Sequence, residues 1–122
     1  MNEFSIIKKY FSPLSGNIED TFNLSEDIFF SKKKGIAITL DTYVEKTHFI
    51  NFKYPGLIIK KTLRGSLSDL LCKGVTPKYY FISISGNKKH LNQKNLLKVK
   101  IALREEQKKY NILLAGGDTT YS

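Results

Sequence analysis

Tryptophan is absent from this chain, and cysteine and methionine occur once each. The lone Cys72 has no internal partner, so no disulfide framework holds the fold together and a reducing cytoplasm is the expected location. Its apolar runs are far too short to span a bilayer, which argues against a membrane helix. The opening Met1-Asn2-Glu3-Phe4-Ser5 lacks the charged start and apolar core of a secretory signal. No internal repeat and no low-complexity linker interrupts the chain. Arginine is scarce, standing only at Arg64 and Arg104, so the net charge of +9 is carried by lysine. A basic surface attracts anions by steering and counterion release. Here, however, the lysines are scattered over several segments and no aromatic-basic motif of a nucleic-acid module accompanies them, which makes nucleic-acid binding the weaker reading.

Hydrophobic residues make up 41% of the 122 and charged residues 25%, the balance of a single globular domain with its own core. Phe4, Ile7 and Phe11 recur at helical spacing over residues 3–11, with Ile6 and Tyr10 widening that face. Pro13 and Ser15-Gly16-Asn17 end it, and a polar loop is expected from Asn17 to about Asp27. Ile28-Phe29-Phe30 reads as a short strand, Ser31 to Gly35 as a lysine-tipped hairpin turn, and Gly35 to Asp41 as the returning strand. Residues 42–49 read as a bent strand or a loop. Pro55-Gly56 opens a helix over roughly 56–73, with Gly74 at its C-cap and Cys72 expected as a small core residue. A β-rich strand follows over 78–85, in which Tyr79-Tyr80-Phe81 is expected to serve sheet packing. His90 reads as a solvated neighbour of the next cap. A long amphipathic helix spans 91–110, Asn111 ends it, and Ile112-Leu113-Leu114-Ala115 forms a buried strand. The order α, β, β, α, β, α, β predicts an α+β fold, a mixed β-sheet with helices packed on one face.

Asp41, Asp69 and Asp118 each stand where an apolar stretch gives way to small or polar residues. Carboxylates so placed reach a cleft while their elements stay anchored, and three converging would suit magnesium and phosphate. The same positions also suit caps and turn formers, and for any one aspartate the two readings are evenly open. Gly116-Gly117 lets a backbone approach a phosphate closely, although turns use glycine pairs as well.

In combination the motifs are more specific. Asp41-Thr42-Tyr43-Val44-Glu45-Lys46-Thr47-His48-Phe49 matches Asp-Thr-x-Val-x-x-x-His-Phe. Ser66-Leu67-Ser68-Asp69-Leu70, followed by Gly74-Val75-x-Pro77, matches Asn-Leu-Ser-Asp-Leu-Ala-x-x-Gly-Ala-x-Pro with small changes. With Gly116-Gly117-Asp118-Thr119-Thr120 in the same order, and an opening helix like Phe4 to Gly16, the chain resembles the thiamine-monophosphate kinase family. The resemblance covers essentially all 122 residues but only the N-terminal half of that family's usual length.

The resemblance implies the N-terminal domain of the aminoimidazole ribonucleotide synthetase-like fold, 1–122 as one ATP- and magnesium-binding domain, its sheet completed by dimerisation. It also implies transfer of the ATP γ-phosphoryl group onto thiamine monophosphate. Carried across by position, Asp27, Thr39, Leu40, Asp41, Asp69 and Asp118 fall on metal-side positions, Leu40 only through its backbone carbonyl. Gly117 and Asp118 fall on the nucleotide-contacting pair, and His48 on a substrate contact. Such a transfer needs charge neutralisation and in-line positioning rather than a covalent nucleophile.

The chain also departs from the pattern. Ser25-Glu26 stand where Gly-Asp is usual before Asp27, Ile28 and Phe29 replace alanines, Leu40 removes a hydroxyl, and Arg64-Gly65-Ser66 replaces smaller and amide residues. The chain stops five residues after Gly117, which suggests an incomplete unit. Three readings stand: the nucleotide and magnesium half of such a kinase, either partnered by a separately encoded second half or a fragment of the longer enzyme; a folded but inert remnant; and an unrelated basic binding module.

Overall fold

The computed structural model describes residues 2–16, 19–26 and 28–121. The opening helix is a single α-turn, α1 (Glu3–Ile6), capped by the Asn2 side chain, which accepts from the Ser5 amide at 2.9 Å. It widens into a π-helical turn over Ile7–Phe11 and tightens into a 3-10 turn over Ser12–Ser15, ended by Gly16 in the left-handed conformation. The polar segment expected as loop contains a further 3-10 stretch, Glu19–Leu24.

β1 (Ile28–Ser31) and β2 (Ile36–Thr39) form an antiparallel hairpin with Ser31 opposite Ile36. Its four-residue turn closes on Gly35 at φ 68°, and the Ser31 hydroxyl, buried under the turn, accepts the Lys34 amide at 3.2 Å. α2 (Pro55–Cys72) starts on proline, whose fixed φ suits a first helical position. It ends in a Schellman motif, with Gly74 at φ 72°, its amide on the Leu71 carbonyl and the Val75 amide on that of Leu70. The C-terminal position places Cys72 on the surface, contrary to its expected core role.

β3 (Tyr79–Gly86), α3 (Gln93–Tyr110) and β4 (Leu113–Tyr121) make one crossover unit with parallel strands. α3 is capped by Asn92, whose side chain accepts the Asn95 amide at 2.8 Å, and ends on left-handed Asn111. The β-structure thus has both senses, but in two separate two-stranded sheets, β1-β2 and β3-β4.

The core lies where α2 and α3 cover one face of β3. Leu67, Tyr80 and Ile112 are fully packed there, with Leu63, Leu103 and Tyr110 around them. Gly56 of α2 lies over α3, where a Cβ would meet Ala102 Cβ at 3.6 Å, an ordinary contact distance. Tyr80 donates its hydroxyl to Gln107 Oε1 at 2.6 Å. Alternation along β3 turns Tyr79 and Phe81 away from the helices, leaving them 66% and 74% exposed. The Tyr79-Tyr80-Phe81 run therefore serves packing only through Tyr80. Leu113, Leu114 and Tyr121 of β4 are exposed as well, so the expectation of a buried last strand is met only at Ile112.

Val99, Ala102 and Glu106 form the buried stripe of α3. Glu106, 1% exposed, accepts two hydrogen bonds from the Arg64 guanidinium, at 2.9 and 2.8 Å. This bidentate pair ties α2 to α3, and the Arg64 hydrogen bond holds the Glu106 carboxyl below its ordinary range despite burial.

Candidate functional site

β2 ends at Thr39, so Leu40 and Asp41 leave the hairpin beside the second half of α2. There the chain brings two of the predicted acids together. Thr39 Oγ1 donates to Asp69 Oδ2 at 3.4 Å, and Ser66 Oγ donates to Asp41 Oδ2 at 3.2 Å. Ser66 and Asp69 lie three residues apart on α2, one above the other on the same face. Two carboxylates and two hydroxyls from a strand end and a helix face thus make one half-buried cluster. Each hydroxyl orients a carboxylate by one oxygen.

A cleft of about 300 Å³ opens at this end of α2, lined by Glu26, Ile28, Asp69, Cys72 and Lys73. Lys73 pairs with Glu26 at 3.5 Å across it. The Leu40 side chain is 85% exposed and contributes only apolar surface, which leaves its carbonyl as its one polar donor.

Gly117 and Asp118 are inside β4 rather than on a loop after it, opposite Ile82 and Ser83 of β3. Pairing shifts register between Tyr80 and Phe81, and past that shift a Cβ on Gly117 would lie 1.9 Å from the Ile82 carbonyl oxygen. The sheet therefore demands glycine at 117 on its own account. Asp118 is exposed. Asp27 lies outside the described residues. Among the described residues, no group of three or more His, Cys, Asp or Glu side chains is arranged to hold a metal.

The donor chemistry at Asp41 and Asp69 nevertheless fits a hard cation. Magnesium is commonly held by one or two carboxylates, with substrate phosphates and waters completing six oxygens. The cluster offers only oxygen donors.

His48 sits on a tight loop. Residues 42–49 form no strand beyond an isolated bridge between Glu45 and Phe49. Lys46 is left-handed at φ 69°, and the His48 amide donates to the Val44 carbonyl at 2.8 Å. The His48 ring turns back on its own loop, where Nδ1 accepts the Val44 amide at 2.8 Å. An accepting Nδ1 puts the neutral ring's proton on Nε2, which points a donor outward. Lys61 of α2 donates to the His48 carbonyl at 3.2 Å. His90, expected as a solvated cap neighbour, is instead half-buried, 3.5 Å from Glu45 and tilted by 53° against Phe52 with centroids 5.6 Å apart, so it anchors the far side of the same loop.

Sequence reasoning missed Ser66 as the partner of Asp41 and Glu106 as the partner of Arg64. Both carried a signal. Ser66 precedes Asp69 by one helical turn, and Glu106 falls on the apolar stripe of α3, where an acid needs a partner.

A family model, AIR synthase related protein, N-terminal domain, matches residues 25–122. The sequence is 33% identical over 125 residues to thiamine-monophosphate kinase of Haemophilus influenzae, covering 98% of this chain and 37% of that protein. It is 35% identical over 121 residues to the enzyme of the same name from Buchnera aphidicola subsp. Acyrthosiphon pisum, covering 96% of this chain and 37% of that protein. The fold matches the crystal structure of thiamine monophosphate kinase from Aquifex aeolicus with a TM-score of 0.73 at 23% identity, over 98% of this chain and 37% of that one. A further structure, AaThiL complexed with AMPPCP and TMP, matches at 0.73 and 20% identity, over 100% and 40%. The chain therefore spans little more than a third of the length of these relatives.

Proposed function

Because the chain belongs to the AIR synthase related protein family through its N-terminal domain, we propose that it is the ATP- and magnesium-binding half of a thiamine-monophosphate kinase. The observation that carries this reading is the placement of Asp41 just beyond β2 and Asp69 on the facing side of α2, with the two elements joined by a hydroxyl hydrogen bond to each carboxylate. Relatives of that name match nearly the whole chain, and a solved relative is a complex with AMPPCP and TMP.

In this reading Asp41 and Asp69 hold magnesium with the Thr39 hydroxyl and the Leu40 carbonyl beside them, and Asp27 and Asp118 complete the acidic set. When bound, magnesium neutralises triphosphate charge. Gly117 and Asp118 contact the nucleotide, and His48 donates from Nε2 to thiamine monophosphate. A phosphate oxygen of the acceptor attacks the γ-phosphorus, the bond to the β–γ bridging oxygen breaks, and ADP leaves with thiamine diphosphate as product. The protein's own task is to align two polyanions in line and keep their charges tolerable, which needs no covalent intermediate.

The open face of β3-β4 supports self-association. Tyr79, Phe81 and Leu113 are exposed on the side away from the helices, apolar surface that a second copy would cover in a homodimer completing the sheet. In this reading the remaining contacts to the acceptor come from a second domain like the one that makes up the rest of the relatives' length. No described helix is long and apolar enough to cross a membrane, and the lone Cys72 accords with the cytoplasm.

A second reading, a folded remnant that binds without turnover, is favoured by one observation: the acids among the described residues are gathered as a pair and not as a larger cluster. Phosphorus NMR of the chain, mixed with the C-terminal domain of a relative and supplied with magnesium, ATP and thiamine monophosphate, separates the two. Appearance of thiamine diphosphate supports the kinase half, and nucleotide binding without product supports the remnant. Absence of both, with light scattering showing a clean monomer at high concentration, refutes the proposal.

A further inference from the structure

Gly65 stands in the interior of α2, where glycine weakens a helix relative to alanine. Its φ is not positive, so the backbone does not ask for it. Space does. A Cβ at this position would lie 2.5 Å from the Tyr43 hydroxyl oxygen and 3.4 Å from Tyr43 Cζ. The hydroxyl occupies the volume that an alanine methyl would take. The Tyr43 ring also packs on the His48 imidazole, with centroids 5.2 Å apart and planes tilted by 37°. One residue beyond Gly65, Ser66 reaches Asp41.

Tyr43 is thus wedged between α2 and His48, and it follows Asp41 by only two residues. We propose that Tyr43 is a positioning residue: with its hydroxyl seated in the notch at Gly65, it sets the His48 imidazole against the α2 face that carries Ser66 and Asp69. Large tyrosine and small glycine form one complementary pair, so neither position varies freely without the other. What His48 meets there rests on the kinase reading; where His48 sits does not.

The test uses the whole chain labelled with nitrogen-15, as wild type, Gly65→Ala, Tyr43→Phe and the double variant. Long-range proton–nitrogen correlation spectra read the ring nitrogens of His48, and the Val44 amide reports the bond to Nδ1. The added methyl of Gly65→Ala displaces Tyr43 and moves both sets of resonances. Removing the hydroxyl in the double variant leaves Cζ as the nearest atom, at ordinary contact distance, and returns them to their wild-type positions. Thiamine monophosphate, titrated with magnesium and ATP, binds ten- to a hundredfold more weakly to Gly65→Ala, on the order expected for a displacement near 1 Å, and within about threefold of wild type to the double variant.

A folded Gly65→Ala protein with unmoved His48 resonances overturns the proposal. So does a double variant that stays displaced or fails to fold. If Gly65→Ala alone does not fold but the double variant folds with His48 in place, the proposal holds. If His48 moves as expected while thiamine monophosphate leaves its resonances untouched in wild type, the kinase assignment of His48 falls and the positioning role stands.

Discussion

Asp69→Asn separates a metal ligand from a structural hydrogen-bond acceptor. The substitution keeps size and shape, and the amide oxygen can still accept from Thr39 Oγ1, now 3.4 Å from Asp69 Oδ2. Asp69 is only half-buried. The unliganded protein should remain folded, with a cost inside the ordinary range for a point substitution, about 0.5–3 kcal/mol. The liganded protein should behave differently. Nucleotide and magnesium at a hundred times their dissociation constant stabilise a folded state by about 2.7 kcal/mol. For a chain of 122 residues, one kcal/mol moves the melting midpoint by roughly 3–5 °C, so the wild type should gain on the order of 8–14 °C. The variant loses a full negative charge from a site offering two carboxylates, and the magnesium-dependent part of that gain should vanish. Far-UV circular dichroism melts, with ATP alone, magnesium alone and both, measure the difference; with no tryptophan in the chain, dichroism is the direct probe. An Asp69→Asn protein with the wild-type magnesium-dependent gain would refute the placement of the cation between β2 and α2.

Two further outcomes test the scaffold. Leu67→Ala, at a position 4% exposed and packed on Tyr80 and Ile112, should cost about 3 kcal/mol in urea unfolding, while Leu71→Ala, 53% exposed on the same helix, should cost less than about 0.5. Equal losses would misplace the core. Glu106→Gln should lower the midpoint most near neutral pH, because the Arg64 hydrogen bond depresses the Glu106 pKa in the folded state. A depressed carboxylate contributes stability above its unfolded pKa and loses it as pH falls through the folded value, so the gap between variant and wild type should close below about pH 4.5. A gap that widens in acid would contradict the sign.

The element order was legible from short-range patterns because those patterns are local. Pro55 at the start of α2, Gly74 at its end, the Asn111 stop and the turn at Gly35 each act through their own backbone conformation. The site was legible in part. The motif separations point to Asp41 and Asp69, and each of the two accepts from a hydroxyl on the facing element, Ser66 of α2 and Thr39 of β2. Cys72 was misjudged because an apolar helix is not buried all round, and its last turn here faces solvent. His90 was misjudged because its partners, Glu45 and Phe52, are remote in sequence.

Sequence alone determined the order of the main helices and strands and where α2 and α3 stop, since propensity, capping and period are properties of neighbours along the chain. Only the tertiary structure decided that Ser66 rather than another hydroxyl orients Asp41, that Glu106 is held by Arg64, and that Gly117 is required by the β3 backbone. Those are contacts between residues far apart in sequence, selected by how helices and strands pack, and no local pattern encodes the distance between two side chains that meet only after folding.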